Sequence, residues 1–134
     1  MTIATFEDLL RAAHSQPEPQ RLLFVFAGAQ LPEDSTTEQR LRFEAGQGGA
    51  LVPLMSVDKS PDELADFEAL VEESLEFSAD WAVVFVAGLS GGDGRAPSGD
   101  EVGQALERMI ESVKSGRFGA FMPFDRRGVP VLFD

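Results

Sequence analysis

Apolar positions fall into two patterns along the chain. One recurs at helical spacing and the other forms short unbroken runs. Phe6, Leu9, Leu10 and Ala13 share one face of a helix expected over about Phe6–Ser15. A short, more polar helix is expected over about Thr36–Ala45. Leu64, Phe67, Val71 and Leu75 align in a third, over about Pro61–Phe77. Val102, Ala105, Leu106, Met109, Ile110 and Val113 define the clearest, over about Gly99–Ser115. Each start carries a capping residue with an acid three positions on: Thr5/Asp8, Ser35/Glu38, Ser60/Glu63 and Ser98/Glu101. There the cap side chain and the acid can satisfy the first free N–H groups reciprocally. Pro61 stands in a first helical turn, where its missing N–H costs nothing.

Between the helices lie runs that read as strands: Leu22–Ala27, Ala50–Val57, Trp81–Ala87, Gly119–Phe124 and Val129–Phe133. The first and third are apolar throughout, as expected of strands covered on both faces. Asp125–Gly128 reads as a hairpin turn between the last two. Pro53, Pro123 and Pro130 cannot donate to a ladder, which places them at edges, ends or bulges.

The element order is α-β-α-β twice, followed by a final strand, and the halves match in residues. Phe6–Leu10 matches Phe67–Val71, Phe24–Gly28 matches Val84–Gly88, and Gly46–Leu54 matches Gly116–Phe124. This order predicts an internal duplication with repeats over 5–59 and 61–128 in a single domain, 1–134, with pseudo-twofold symmetry. Half the chain alone buries little. A helical crossover between strands of one sheet makes them parallel. The expected fold is therefore α/β: a mixed, mainly parallel five-stranded sheet flanked by helices and ending in a C-terminal β-hairpin.

Composition restricts the chemistry. The 134 residues hold no cysteine, so disulfides, thiolate metal sites and cysteine nucleophiles are excluded. The net charge of −12 opposes binding to nucleic acid, which needs cationic neutralisation of phosphates, and to an anionic membrane surface. No apolar run approaches the roughly 18 residues of a membrane span. Met1–Thr5 lack the basic start and apolar stretch of a signal peptide, so a cytoplasmic protein is expected. Between Ser60 and Asp80 stand eight acids and no base. That segment reads as a solvated helix face or, more sharply, as a docking surface for a basic partner.

Two segments are candidate ligand sites. Gly88–Ser98 leaves a strand and enters a capped helix, and Gly91, Gly92, Gly94 and Arg95 offer backbone N–H groups and a cation for an anion. It lacks the P-loop and dinucleotide fingerprints, and Asp93, Asp100 and Glu101 oppose a phosphate. Arg126 and Arg127, in a charged corner paralleled by Asp58–Lys59, are the second candidate for a carboxylate or phosphate. His14 is the only histidine and stands near a helix end, where a cation is favourable. No catalytic constellation, metal-ligand spacing or cofactor motif emerges.

Gln16–Gly28, Gly48–Lys59 and Pro123–Arg126 resemble a family of small uncharacterised proteobacterial proteins, and the likeness spans essentially the whole chain. Members often bear the automatic label of ribonucleotide reductase alpha subunit. The resemblance implies a bacterial origin and a compact domain. Without cysteines the chain lacks the radical-bearing residue and the reducing pair that such a catalytic subunit requires. The residues favour a non-catalytic interaction or accessory module, as a homodimer or with a protein partner. The alternative is a small anionic-ligand binder or hydrolytic enzyme, with its site between the halves near loops 28–35 and 88–98.

Overall fold

The computed structural model describes residues 5–30, 36–44, 50–64, 66–77 and 80–131. Four helices and four strands alternate: α1 (Phe6–His14), β1 (Gln20–Gln30), α2 (Thr37–Glu44), β2 (Ala50–Lys59), α3 (Phe67–Leu75), β3 (Val83–Ser90), α4 (Gly99–Lys114) and β4 (Met122–Asp125). A single 3-10 turn, Pro61–Glu63, precedes α3. The strands form one sheet in the order β2-β1-β3-β4. Every neighbouring pair is antiparallel.

The expected mainly parallel, five-stranded sheet is thus corrected to a four-stranded antiparallel one. α2 has eight residues, about 12 Å of helix. That is too short to carry the chain back along strands that span about 30 Å. α4 is long enough, but it lies across β2, β1 and β3 rather than alongside β3 alone. The chain therefore enters β4 running against β3. Apolar strands mark a sheet covered on both faces, and such cover is not confined to parallel sheets. In place of the fifth strand, Asp125–Gly128 reverses the chain and Pro130 makes one bridge to Phe124. Residues 132–134 lie outside the described residues.

The two core clusters sit on opposite faces of the sheet. Leu22, Phe24 and Phe26 of β1, Val84 and Val86 of β3 and Phe124 of β4 meet Phe6, Leu9, Phe67 and Leu70 from α1 and α3. Leu23, Val25 and Ala27 alternate to the other face, with Val83 and Phe85, under Val102, Met109 and Val113 of α4. The order is helix, sheet, helix, with β1 and β3 buried on both sides. In the central pair Phe24 faces Val86, Val25 faces Phe85 and Phe26 faces Val84. The 60-residue correspondence between the halves exchanges the outer two of these pairs and leaves the middle one in place.

Caps set the helix boundaries. Ser98 and Glu101 form a full capping box at α4. At α2 the reciprocal pair is Thr36 with Gln39: the Gln39 N–H donates to Thr36 Oγ1 (3.1 Å), and the Thr36 N–H to Gln39 Oε1 (2.8 Å). The expected cap residue Ser35 lies outside the described residues. The expected helix from Pro61 is divided, because Asp66 supplies a second cap, accepting from the Ala69 N–H at 2.8 Å. The helix restarts there, which turns Leu70 and Ser74 inward and leaves Leu75 and Phe77 exposed.

Candidate functional site

β2 is an edge strand, and its C-terminal end is tied down by ion pairs. Arg21 Nε donates to Asp58 Oδ2 (2.6 Å) and Arg21 Nη1 to Glu63 Oε1 (2.8 Å), holding the 3-10 turn against the strand. The bond to Asp58 is the main cause of a raised Arg21 pKa, against an opposing effect of burial. Glu63 also accepts the Ser60 N–H (2.9 Å), and that backbone bond is the main reason its pKa is lowered. Lys59 Nζ pairs with Glu73 Oε2 at 2.9 Å and links β2 to α3.

A cleft of about 290 Å³ opens between β2 and α3. Met55 and Val57 form one wall, Leu70, Glu73, Ser74 and Phe77 the other, and Phe26 lies at its base. Trp81 fixes this geometry. Its indole N–H donates to Ser74 Oγ (2.8 Å), and Ser74 donates to the Val71 carbonyl (2.6 Å). The indole meets Phe26 edge-on, with ring centres 5.0 Å apart. On the other side Arg126 lies over the indole at 5.2 Å, while its Nε donates to the Trp81 carbonyl at 2.7 Å. Both hydrogen-bonding functions of the Ser74 hydroxyl are thereby used, and the buried group is a structural link rather than a free nucleophile.

Phe77, which lines the cleft, is 76% exposed, and Leu75, outside its lining, is 42% exposed. Glu73 lines the cleft with Phe77, and Glu76 precedes Phe77 in the chain. All eight acids between Ser60 and Asp80 are exposed. Glu68, Glu72 and Glu76 follow one another at i, i+4 spacing, where like charges repel by a few tenths of a kcal/mol per pair. Among the described residues, Glu72 and Glu76 have no cationic partner.

The outer side of β2 is defined by which way its peptide groups point. The Gly91 N–H donates to the Pro19 carbonyl (2.9 Å) and the Ala82 N–H to that of Ala27 (2.8 Å). Odd-numbered β1 residues therefore turn their peptide groups toward β3, and even-numbered ones toward β2. Leu22, Phe24 and Phe26 stand opposite Lys59, Val57 and Met55, which accordingly point inward. Ser56 and Asp58 turn their N–H and C=O groups away from the sheet. Pro53 lies beside a register shift and has no N–H to expose. Gly28 stands opposite Val52 in this stretch, and a Cβ on it would come within 2.9 Å of both the Asp80 carbonyl and Leu54. Only glycine fits that close approach.

The structure keeps the two ligand segments expected from sequence apart. Arg126 touches Trp81 beside the start of β3, whereas Gly91–Arg95 follows its far end. Eight strand residues, about 25 Å, separate them. Antiparallel strands likewise place the chain leaving Gly28 and the loop 88–98 at opposite ends of the sheet; residues 31–35 lie outside the described residues. Gly91–Arg95 is a tight hairpin turn closed by Gly92–Arg95 bonds, with Asp93 and Gly94 at φ 54° and 75°. The N–H groups of Gly91, Gly92, Gly94 and Arg95 are engaged internally. That of Gly91 bonds Pro19, and that of Gly94 donates to Glu18 Oε2 at 2.8 Å. The chain's own carboxylate occupies the place an anion would take. Arg127 pairs with Asp125 at 3.1 Å. Asp125 has a lowered pKa: burial pushes it up, but the Val129 and Arg127 backbone N–H groups outweigh that.

His14 Nδ1 lies 3.6 Å from Asp62 on the surface. Among the described residues no group of three or more metal-ligating side chains converges, and no buried side-chain polar atom lacks a partner. No helix of the described residues is long and apolar enough to cross a membrane. Sequence reasoning marked the acidic segment but missed the cleft. The available signal was Phe77, an aromatic residue off the expected apolar stripe and followed by polar sequence. No family model, curated protein or solved structure matches the chain.

Proposed function

We propose that this protein is a non-catalytic interaction module that docks a basic, apolar segment of a partner protein in the cytoplasm. The observation that carries the reading is Phe77, 76% exposed on an apolar cleft beside the acidic helix α3, whose Glu72 and Glu76 have no cationic partner among the described residues. Exposed aromatic residues beside a preformed pocket are the usual anchors of protein recognition. The acids supply steering and choice of partner more than affinity. They also oppose self-association through this face, because a second copy would bring its own acids against them.

A peptide-display library panned on the immobilised protein tests the reading. Enrichment of sequences with two or three apolar residues flanked by lysine or arginine is expected. Enrichment should fail on a Phe77→Ser surface and weaken steeply with salt. Selection of acidic sequences, or of the same sequences on Phe77→Ser, would overturn it.

A further inference from the structure

The β2 edge offers more than a wall for the cleft. Ser56 and Asp58 present outward N–H and C=O groups two residues apart, the spacing at which one strand bonds another. Among the described residues no backbone bond satisfies them. Thr36 and the first five residues of α2, Thr37–Leu41, are exposed. The Arg21–Asp58 and Lys59–Glu73 pairs hold the strand in place before any partner arrives. Met55 and Val57 lie on the cleft side of the sheet. A strand added beside Leu54–Asp58 would direct alternate side chains toward the cleft and Phe77.

Resting on the docking reading above, we propose that the occupant binds as an added β-strand on the Leu54–Asp58 edge. It is an extended segment of about five residues with apolar side chains at alternate positions and lysine or arginine at its ends. Main-chain bonds to Ser56 and Asp58 hold it, and the cleft between β2 and α3 reads its apolar side chains, as in other strand-addition complexes. The terminal cations answer the negative charge of α3 and of Glu76 beside Phe77. A second copy of this chain meets the apolar requirement but brings α3 acids against α3 acids, so the charge selects a cationic partner.

The test uses the full chain and a nine-residue peptide with two lysines at each end and a Leu-Thr-Val-Thr-Leu centre. Binding is read from the fluorescence of Trp81, the only tryptophan, which packs on Phe26 and Ser74 at the cleft. The peptide is then N-methylated at alternate central amides, in two complementary sets. One set faces β2 and the other faces away. Strand addition predicts that one set weakens binding by roughly tenfold or more through lost main-chain bonds, and that the other changes it less than about threefold. Equal effects of the two sets overturn strand addition while leaving the docking reading intact. Absence of binding by the unmethylated peptide overturns both. Ser56→Pro gives a second check, because it removes an outward donor without touching the β1 ladder. It should weaken binding while the strand signature in circular dichroism persists; undiminished binding would overturn the proposal.

Discussion

The two edges of the sheet are built differently. β4 has four residues, contains Pro123, and is covered by the chain's own return, with the Val131 N–H donating to the Pro123 carbonyl at 3.0 Å. β2 has ten residues and pairs with β1 along nearly its whole length, and its outward groups at Ser56 and Asp58 have no backbone partner among the described residues. Proteins blunt their edges because an unpaired strand templates further pairing. A short strand, a proline and a covering segment protect one edge. The other carries one proline and lies beside the acidic helix α3, which discourages pairing with like-charged copies while admitting a cationic segment. The contrast separates a structural edge from one available for recognition.

The largest expected effect comes from removing the link shared by both sides. Trp81→Ala deletes the Ser74 bond, the Phe26 contact and the seat of Arg126. It should cost about 3–5 kcal/mol, seen as a large drop in the urea midpoint, and loosen both edges together. Next comes the closed edge alone. Gly128 has φ 80°, and a Cβ there would lie 3.2 Å from the Phe67 ring. Gly128→Ala should cost about 1–3 kcal/mol, and raise amide exchange at Val131 without changing peptide binding at β2.

On the open edge the sign of the comparison reverses. Phe77→Ser should change stability by no more than about 0.5 kcal/mol, because the ring is mostly in water. It should abolish docking. A large loss of stability would show that Phe77 is a core residue and remove the basis for the site.

The smallest expected effect concerns acid. The folded pKa values of Asp125 and Glu63 are both lowered, so the stability they add is fully present above the ordinary carboxylate range and is lost as pH falls from that range through the lowered folded values. Asp125 guards the turn at the closed edge, and Glu63 braces the open one. Asp125→Asn should flatten the acid limb of a urea-midpoint profile for Val131 protection. A profile as steep as that of the unchanged protein would place the acid sensitivity elsewhere.

Much of the fold was legible where local chemistry decides it. The capping pair at Ser98/Glu101, the apolar stripe from Val102 to Val113 and the turn at Asp125–Gly128 are all settled by residues within a few positions of one another. Strand direction is different. It depends on where α4 lies relative to β1 and β2, and that is set by packing between residues far apart in sequence. The same limit hid the candidate site. The acids of α3 were visible as charge, but Phe77 becomes an exposed anchor only because Asp66 restarts the helix and Trp81 fixes Ser74 inward. The glycine hairpin shows the same limit. Its N–H groups look available until Glu18, 76 residues away, is seen to occupy one.

The most direct test is residue-resolved hydrogen exchange on the full chain without a partner. An open β2 edge predicts fast exchange at the Ser56 and Asp58 amides, slow exchange at Met55 and Val57, which alternate with them, and protection at Val131 on the opposite edge. Slow exchange at Ser56 and Asp58 would mean that this edge is already covered, and would contradict the account.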